Sequence, residues 1–147
     1  MNDAIHAIQE TIILYGQLLD DLRMEEWGQL FTDDAVWAMP GFVFEGREAI
    51  TKGVRAMEPE RPGFVKHLAF SPVIRLDGKD RARAWTDLLF LTRDGLEDPW
   101  KVAIAGRYCD ELVAAEAGWQ FALRVADISP DDLPPVAFDR SPPFAAR

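Results

Sequence analysis

The sequence predicts an α+β fold, on three observations. Apolar residues recur at helical steps only as far as Met57. From Phe64 onward they recur at strand steps, and turn-forming pairs separate the runs. At 147 residues, 48% of them apolar, the chain has the size of one domain with one sizeable core. Helices followed by hairpin-linked strands give helices packed on an antiparallel sheet.

Residues 3 to about 24 read as the first helix. Ile5, Ile8, Ile12, Tyr15, Leu19 and Leu22 fall on one stripe, and Asn2 or Asp3 can cap the start. Gly16 interrupts that pattern at a cost of about 1 kcal/mol relative to alanine, and it lets another element come close. Residues 24–33 read as a short second helix with Trp27, Leu30 and Phe31 on its apolar side, stopped by Thr32-Asp33-Asp34. Residues 35–39 read as a strand ended by Pro40, and residues 42–46 as another after a Pro-Gly turn. Residues 47–57 read as a third helix through Ile50, Val54 and Met57, closed by Pro59 and Pro62. Four strands follow, over residues 64–76 (bent at Pro72), 81–93, 100–113 and 119–128, with turns at Asp77-Gly78, Asp94-Gly95 and Ala117-Gly118. Such a sheet curls around the first helix and leaves a pocket at its open end.

In the strand from Trp100, alternation puts Val102, Ile104, Tyr108 and Leu112 on one face and Ala103, Ala105, Cys109 and Val113 on the other. Two apolar faces need two covers. Helices supply one, and a second copy of the chain is the simplest other, which predicts a homodimer through the sheet. Residues 129–147 hold five of the ten prolines and form a Pro-rich tail separate from the domain of residues 1–128. The tail is either disordered or an arm laid on a neighbour; Phe138 and Phe144 favour the arm.

The formal net charge of −9 repels polyanions, so neither nucleic acid nor an acidic membrane surface is an expected partner. Cys109 is the only cysteine, which excludes an intrachain disulfide. No run approaches 18 continuous apolar residues, and no secretory leader pattern is present. These features predict a cytoplasmic protein.

Two histidines narrow the search for chemistry. His6 falls off the apolar stripe and reads as solvated. His67 shares a strand face with Val65 and Ala69, and on spacing alone it reads as a half-buried histidine bonded to something local. Asp20 and Asp21 sit where the first helix gives out, close to Glu25 and Glu26. A helix C-terminus already carries partial negative charge, so a carboxylate there is either fully solvated or matched by a cation. An imidazolium from His67 would be such a match.

The string Leu18-Leu19-Asp20-Asp21-x-Arg23-x-x-Glu26-Trp27, followed by residues 30–37 and Pro40, resembles the opening of the nuclear transport factor 2-like superfamily. Glu45-Gly46-Arg47-Glu48-Ala49-Ile50, His67-Leu68-x-x-x-Pro72-Val73-Ile74, Ala105-Gly106-Arg107-Tyr108-x-Asp110-Glu111-Leu112 and Gly118-Trp119 are similar to SnoaL-like members. The resemblance covers about residues 4–128. It implies a cystatin-like cone, with N-terminal helices packed in a strongly curved antiparallel sheet. Scytalone dehydratase, bile-acid 7α-dehydratase and hexachlorocyclohexane dehydrochlorinase of that superfamily use an aspartate–histidine dyad, and Asp20 and His67 fall at its places. Tyr15 stands five residues before Asp20, as a tyrosine does in the bile-acid enzyme. Where scytalone dehydratase has a second histidine after a glycine, this chain has Arg107. Where the dehydrochlorinase has a cation, it has Leu123, and alternation turns the neighbouring Arg124 the other way.

The resemblance therefore implies a lyase or isomerase without cofactor or metal. His67 would act as general base, Asp20 would hold its tautomer, and Tyr15 or Trp37 would donate to a developing oxyanion. Trp37, Phe42, Trp85, Arg107 and Phe121 are the expected substrate-binding residues for a small apolar or aromatic ligand. One cysteine excludes a Rieske cluster within the chain, and two histidines far apart in sequence argue against zinc. Cys109, mid-strand with no histidine near it in sequence, reads as a small core residue. The string from Leu18 to Trp27 is also very similar to β subunits of aromatic-ring-hydroxylating dioxygenases, which brace a separate iron-bearing α subunit. A structural subunit and a domain that only binds a small ligand thus stand beside the enzyme.

Overall fold

The computed structural model describes residues 2–144. Helix α1 spans Asn2–Asp20, α2 Met24–Gly28 and α3 Arg47–Met57. The strands are β1 (Phe31–Met39), β2 (Phe42–Glu45), β3 (Val65–Asp77), β4 (Arg81–Thr92), β5 (Lys101–Ala115) and β6 (Gly118–Asp127). They form one six-stranded sheet in the order β2-β1-β6-β5-β4-β3. Every pairing is antiparallel except β1 with β6, which is parallel. No hairpin joins those two strands. The chain between them runs through α3 and four other strands, so a parallel pairing is sterically free.

The stripe on α1 is buried as its spacing requires: Ile8, Ile12, Tyr15 and Leu19 are at most 2% exposed. The expected cap on Asn2 falls outside the described side chains. The helix stops at Asp20 because Leu22 turns left-handed, at φ 56°. The amide of Arg23 then reaches back to the carbonyl of Leu18 at 2.9 Å, and that of Leu22 to Leu19 at 3.0 Å. This closes the helix end in the paired pattern that usually recruits glycine.

Helix α2 is shorter than its apolar spacing implies. Residues 29–33 do not continue it; Phe31 already opens β1. The competitor is β6: the Phe121 amide donates to the Leu30 carbonyl at 2.8 Å, and Phe31 pairs with Phe121. Arg47 holds this corner by donating to the carbonyls of Gly28 and Phe31. It also pairs with Asp33 at 2.6 Å.

Three irregularities set which side chains face inward. In β3 the register shifts between Phe70 and Val73, at the bend expected from Pro72. In β5 an extra residue, Ala103, lies between Val102 and Ile104. Val102, 62% exposed, therefore faces outward beside Leu91 and does not share a face with Ile104. In β6 an extra residue, Ala122, separates Phe121 from Leu123. Each such bulge reverses the inward and outward code downstream.

The outer face carries a second apolar cluster of Ala38, Trp85, Cys109 and Val125. The tail covers it: Val136 and Phe138 pack on that cluster, and Trp85 Nε1 donates to the Asp139 carbonyl at 2.9 Å. Arg83–Asp139 (2.7 Å) and Arg140–Asp127 (2.8 Å) clasp it at two points. The tail is therefore neither disordered over this stretch nor an arm on a neighbour; it lies on its own sheet. Phe144 takes no part and is 92% exposed.

At Gly16 the backbone of α1 lies close against β3. A Cβ there would stand 2.8 Å from the His67 carbonyl oxygen and 3.1 Å from its Cβ. Gly16→Ala should gain about 1 kcal/mol of helix propensity and lose more to overpacking, for a net destabilisation of about 1–2 kcal/mol in urea unfolding.

Candidate active site

An inward-facing cavity of about 170 Å³ lies between α1, α3 and the concave face of the sheet. Its wall is mostly apolar: Leu19, Trp37, Met39, Val54, Leu88, Phe90, Ile104, Ala126 and Ile128. Met57, 43% exposed, marks the mouth. The lining residues with polar or ionisable groups on their side chains, besides Trp37, are Tyr15, Glu58, His67 and Tyr108.

Asp20, the last residue of α1, meets His67 of β3. His67 Nδ1 lies 2.6 Å from Asp20 Oδ1. The backbone N–H of His67 also donates to the same carboxylate, at 3.0 and 3.1 Å from its two oxygens. The side chains are 9% and 13% exposed. A carboxylate at the negative end of a helix dipole thus gains two donors from one residue. Since a carboxylate only accepts, the hydrogen on His67 sits on Nδ1 and the neutral ring presents its lone pair at Nε2. That tautomer is assigned from the bonding.

Tyr15 stands at the centre of the floor, 2% exposed. Its ring meets His67 edge-on at 6.3 Å. The Trp37 indole N–H donates to its hydroxyl at 3.0 Å. Trp37 therefore has no donor left for a ligand, whereas the Tyr15 hydroxyl accepts from Trp37 and keeps its own proton to give. Burial pushes the Tyr15 phenol up to about 12, against the pull of Arg124, so it stays neutral.

Trp37 lines the cavity as expected, but four other expected binding residues do not. Phe42 is 48% exposed at the start of β2, with its ring 6.4 Å from Phe44. Trp85 faces outward under the tail, with Arg83 over its ring. Arg107 also faces outward, paired with Asp87 at 2.7 Å. Phe121 is fully buried behind Tyr15 and forms core. Trp85 and Arg107 are odd-numbered neighbours of inward-facing Thr86 and Tyr108, so the pleat turns them away. His6 is exposed. Burial lifts the Cys109 thiol to about 12, in keeping with an inert packing role. Among the described residues, no group of three or more His, Cys, Asp and Glu side chains is placed to hold a metal ion.

A sequence profile of the SnoaL-like domain matches residues 2–125. The chain belongs to the SnoaL-like family. Solved structures place this SnoaL-like protein among nuclear transport factor 2-like, cystatin-like folds. One such protein from Novosphingobium aromaticivorans is 21% identical, with a TM-score of 0.75 over 86% of this chain and 82% of its own. A candidate scytalone dehydratase from the same organism is 23% identical, with a TM-score of 0.74 over 99% and 95%. The β subunit of a candidate aromatic-ring-hydroxylating dioxygenase, again from that organism, is 21% identical, with a TM-score of 0.71 over 84% and 87%. At these identities the likeness establishes the fold. No curated protein sequence matches the chain.

Two charged residues inside this SnoaL-like fold escape a reading by alternation. The bulge at Ala122 turns Arg124 inward, where it is fully buried and forked onto Asp110 at 2.9 and 2.8 Å. Its guanidinium sits 3.9–4.1 Å from the rings of Tyr108, Tyr15 and Phe121. Burial pushes the Asp110 carboxyl up, and the paired cation opposes that rise. Glu58 is the other. It follows α3 directly and precedes Pro59, which forces it into extended backbone, at ψ 155°. That turn swings its carboxyl into the cavity wall, 7% exposed, with Oε1 4.0 Å from His67 Nε2.

Asp110→Asn leaves a buried guanidinium unpaired and should cost about 3–5 kcal/mol in chemical denaturation. The double replacement Asp110→Leu with Arg124→Met removes both charges and should cost much less.

Proposed function

We propose that this chain is a cofactor-independent lyase or isomerase that removes a carbon-bound proton from a small ring-containing substrate. The observation that carries the reading is a histidine whose Nδ1 is held by Asp20 at 2.6 Å while the same ring lines an apolar cavity. His67 Nε2 is the base. Asp20 keeps the lone pair on that nitrogen and stabilises the imidazolium once the proton arrives. The abstracted proton is one acidified by an adjacent carbonyl, and the Tyr15 hydroxyl donates to the oxygen as negative charge develops. Trp37 positions that hydroxyl through its indole bond. Elimination of water and migration of a double bond both follow from this first step.

Membership in the SnoaL-like family and likeness to a candidate scytalone dehydratase point the same way. A cavity of about 170 Å³ suits a single six-membered ring; an apolar cavity of about 150 Å³ takes up benzene. Likeness to a dioxygenase β subunit favours a structural role instead, and that reading leaves the Asp20–His67 pair beside a cavity without a use.

The test is turnover of 3-hydroxycyclohexanone to the enone. His67→Ala should lower kcat/KM by about 10²–10⁴-fold, with Asp20→Asn between it and the wild type. Equal rates in His67→Ala and the wild type would remove the reading. Saturable binding without turnover would leave a ligand-binding domain, and co-purification with an iron–sulfur protein would leave the structural subunit.

The homodimer belongs to the same proposal. Phe70 and Val102, 46% and 62% exposed, lie on the part of the outer face that the tail does not cover. Sedimentation equilibrium should give twice the chain mass of 16.6 kDa, and a monomer mass would end that part of the reading.

A further inference from the structure

Glu58 faces His67, and one of its carboxyl oxygens finds no hydrogen-bond partner among the described residues. Its Oε2 is buried and makes no hydrogen bond, although Oε1 stands 4.0 Å from His67 Nε2. A buried carboxylate oxygen without a donor is costly, and the group escapes that cost by carrying a proton. The ionisable groups around it divide. Burial is the largest influence and pushes the Glu58 carboxyl up; the charge of Asp20 pushes the same way, while His67 and Arg55 oppose. Arg55 does not pair with the carboxyl; its guanidinium donates to the Glu58 and Pro59 carbonyls.

We infer that Glu58 is the general acid that protonates the departing hydroxyl while His67 removes the neighbouring proton. This rests on the base assignment above and adds the second proton transfer, which Asp20 and His67 leave unsupplied. The three polar groups follow the order of a β-hydroxy ketone. Tyr15 meets the carbonyl oxygen, His67 the hydrogen on the next carbon, and Glu58 the hydroxyl on the carbon after that. The C–H proton passes to His67 Nε2, and its electron pair becomes the new C=C bond. The C–O bond breaks with its pair on oxygen, and Glu58 gives that oxygen its proton, so water leaves. Glu58 is then a carboxylate facing an imidazolium. The proton returns from Nε2 to Glu58 through the product water across the 4.0 Å gap, and both groups are reset.

The experiment compares two leaving groups on one ring, 3-hydroxycyclohexanone and 3-chlorocyclohexanone, with the uncatalysed rate subtracted. Chloride departs without a proton. Glu58→Gln should slow the hydroxy ketone about 100-fold or more in kcat and change the chloro ketone by no more than about threefold. The wild-type kcat/KM on the hydroxy ketone should fall as rising pH takes the proton from Glu58, whose carboxyl burial holds above the usual carboxylate range. In Glu58→Gln that fall should vanish, and Glu58→Asp, which keeps an acid, should restore it. Unchanged thermal unfolding midpoints exclude a folding defect, and if Glu58→Gln fails to fold, Glu58→Ala, which also removes the acid, carries the same comparison. His67→Ala should slow both ketones. If it does, and Glu58→Gln slows both equally or neither, Glu58 is not the acid and the base assignment stands. Wild-type rates on both ketones in His67→Ala overturn both assignments, as does a wild-type protein that turns over neither ketone.

Discussion

A single carboxylate joins the two halves of this fold. Asp20 closes α1 at the end where the helix dipole disfavours negative charge, and it is mostly withdrawn from water. What offsets both penalties is His67, which offers its main-chain N–H and its ring Nδ1–H to the same group. The helix is thereby pinned to β3 at one residue pair. The pin works because Gly16, one turn earlier, lets the helix backbone lie almost against the His67 carbonyl. Stability and reactivity meet at this contact: the bond that docks the helix also decides which ring nitrogen carries the free lone pair.

Beneath that contact lies a second buried ion pair with a different task. Arg124 and Asp110 are wholly excluded from water, and three aromatic rings surround the cation. Ion pairs of this kind contribute little net stability against an apolar replacement, yet they define a geometry tightly. Here the guanidinium supports the ring of Tyr15 from below, Trp37 holds its hydroxyl from the side, and Trp27 and Phe31 close the remaining faces. The floor of the cavity is therefore fixed by charge and aromatic contact together.

The parts legible in the sequence were those governed by local rules. The period of four and three residues through Ile50, Val54 and Met57 gave α3 from Arg47 to about Met57, where it ends, because Pro59 stops the helix. The meeting of Asp20 and His67 is the exception: a helix-end carboxylate in need of a cation hinted at it, but the family resemblance is what implied the pair, and spacing alone left His67 bonded to something local. Illegible were the places where two segments compete or where counting fails. Leu30 and Phe31 look helical beside Trp27, and only the distant β6 claims them for the sheet. Arg124 looked outward because alternation has no way to register Ala122. Trp85 looked like a pocket residue from its type and Arg107 from its place in the resemblance, and the pleat put both behind the wall. Glu58 went unnoticed because Glu-Pro reads as punctuation, although the proline is what aims the carboxyl inward.

The bulges at Ala103 and Ala122 have a further meaning for how this cavity changes over evolutionary time. A residue gained or lost in a regular stretch of strand exchanges interior for exterior beyond it, whereas the surplus residue of a bulge can be lost with the register intact. Ala122 is the surplus residue opposite Leu112, so its removal would leave Phe121 on Leu112, Leu123 on Glu111 and the guanidinium of Arg124 inside. At such a point the chain can shorten by one residue and keep the same side chains facing its chamber.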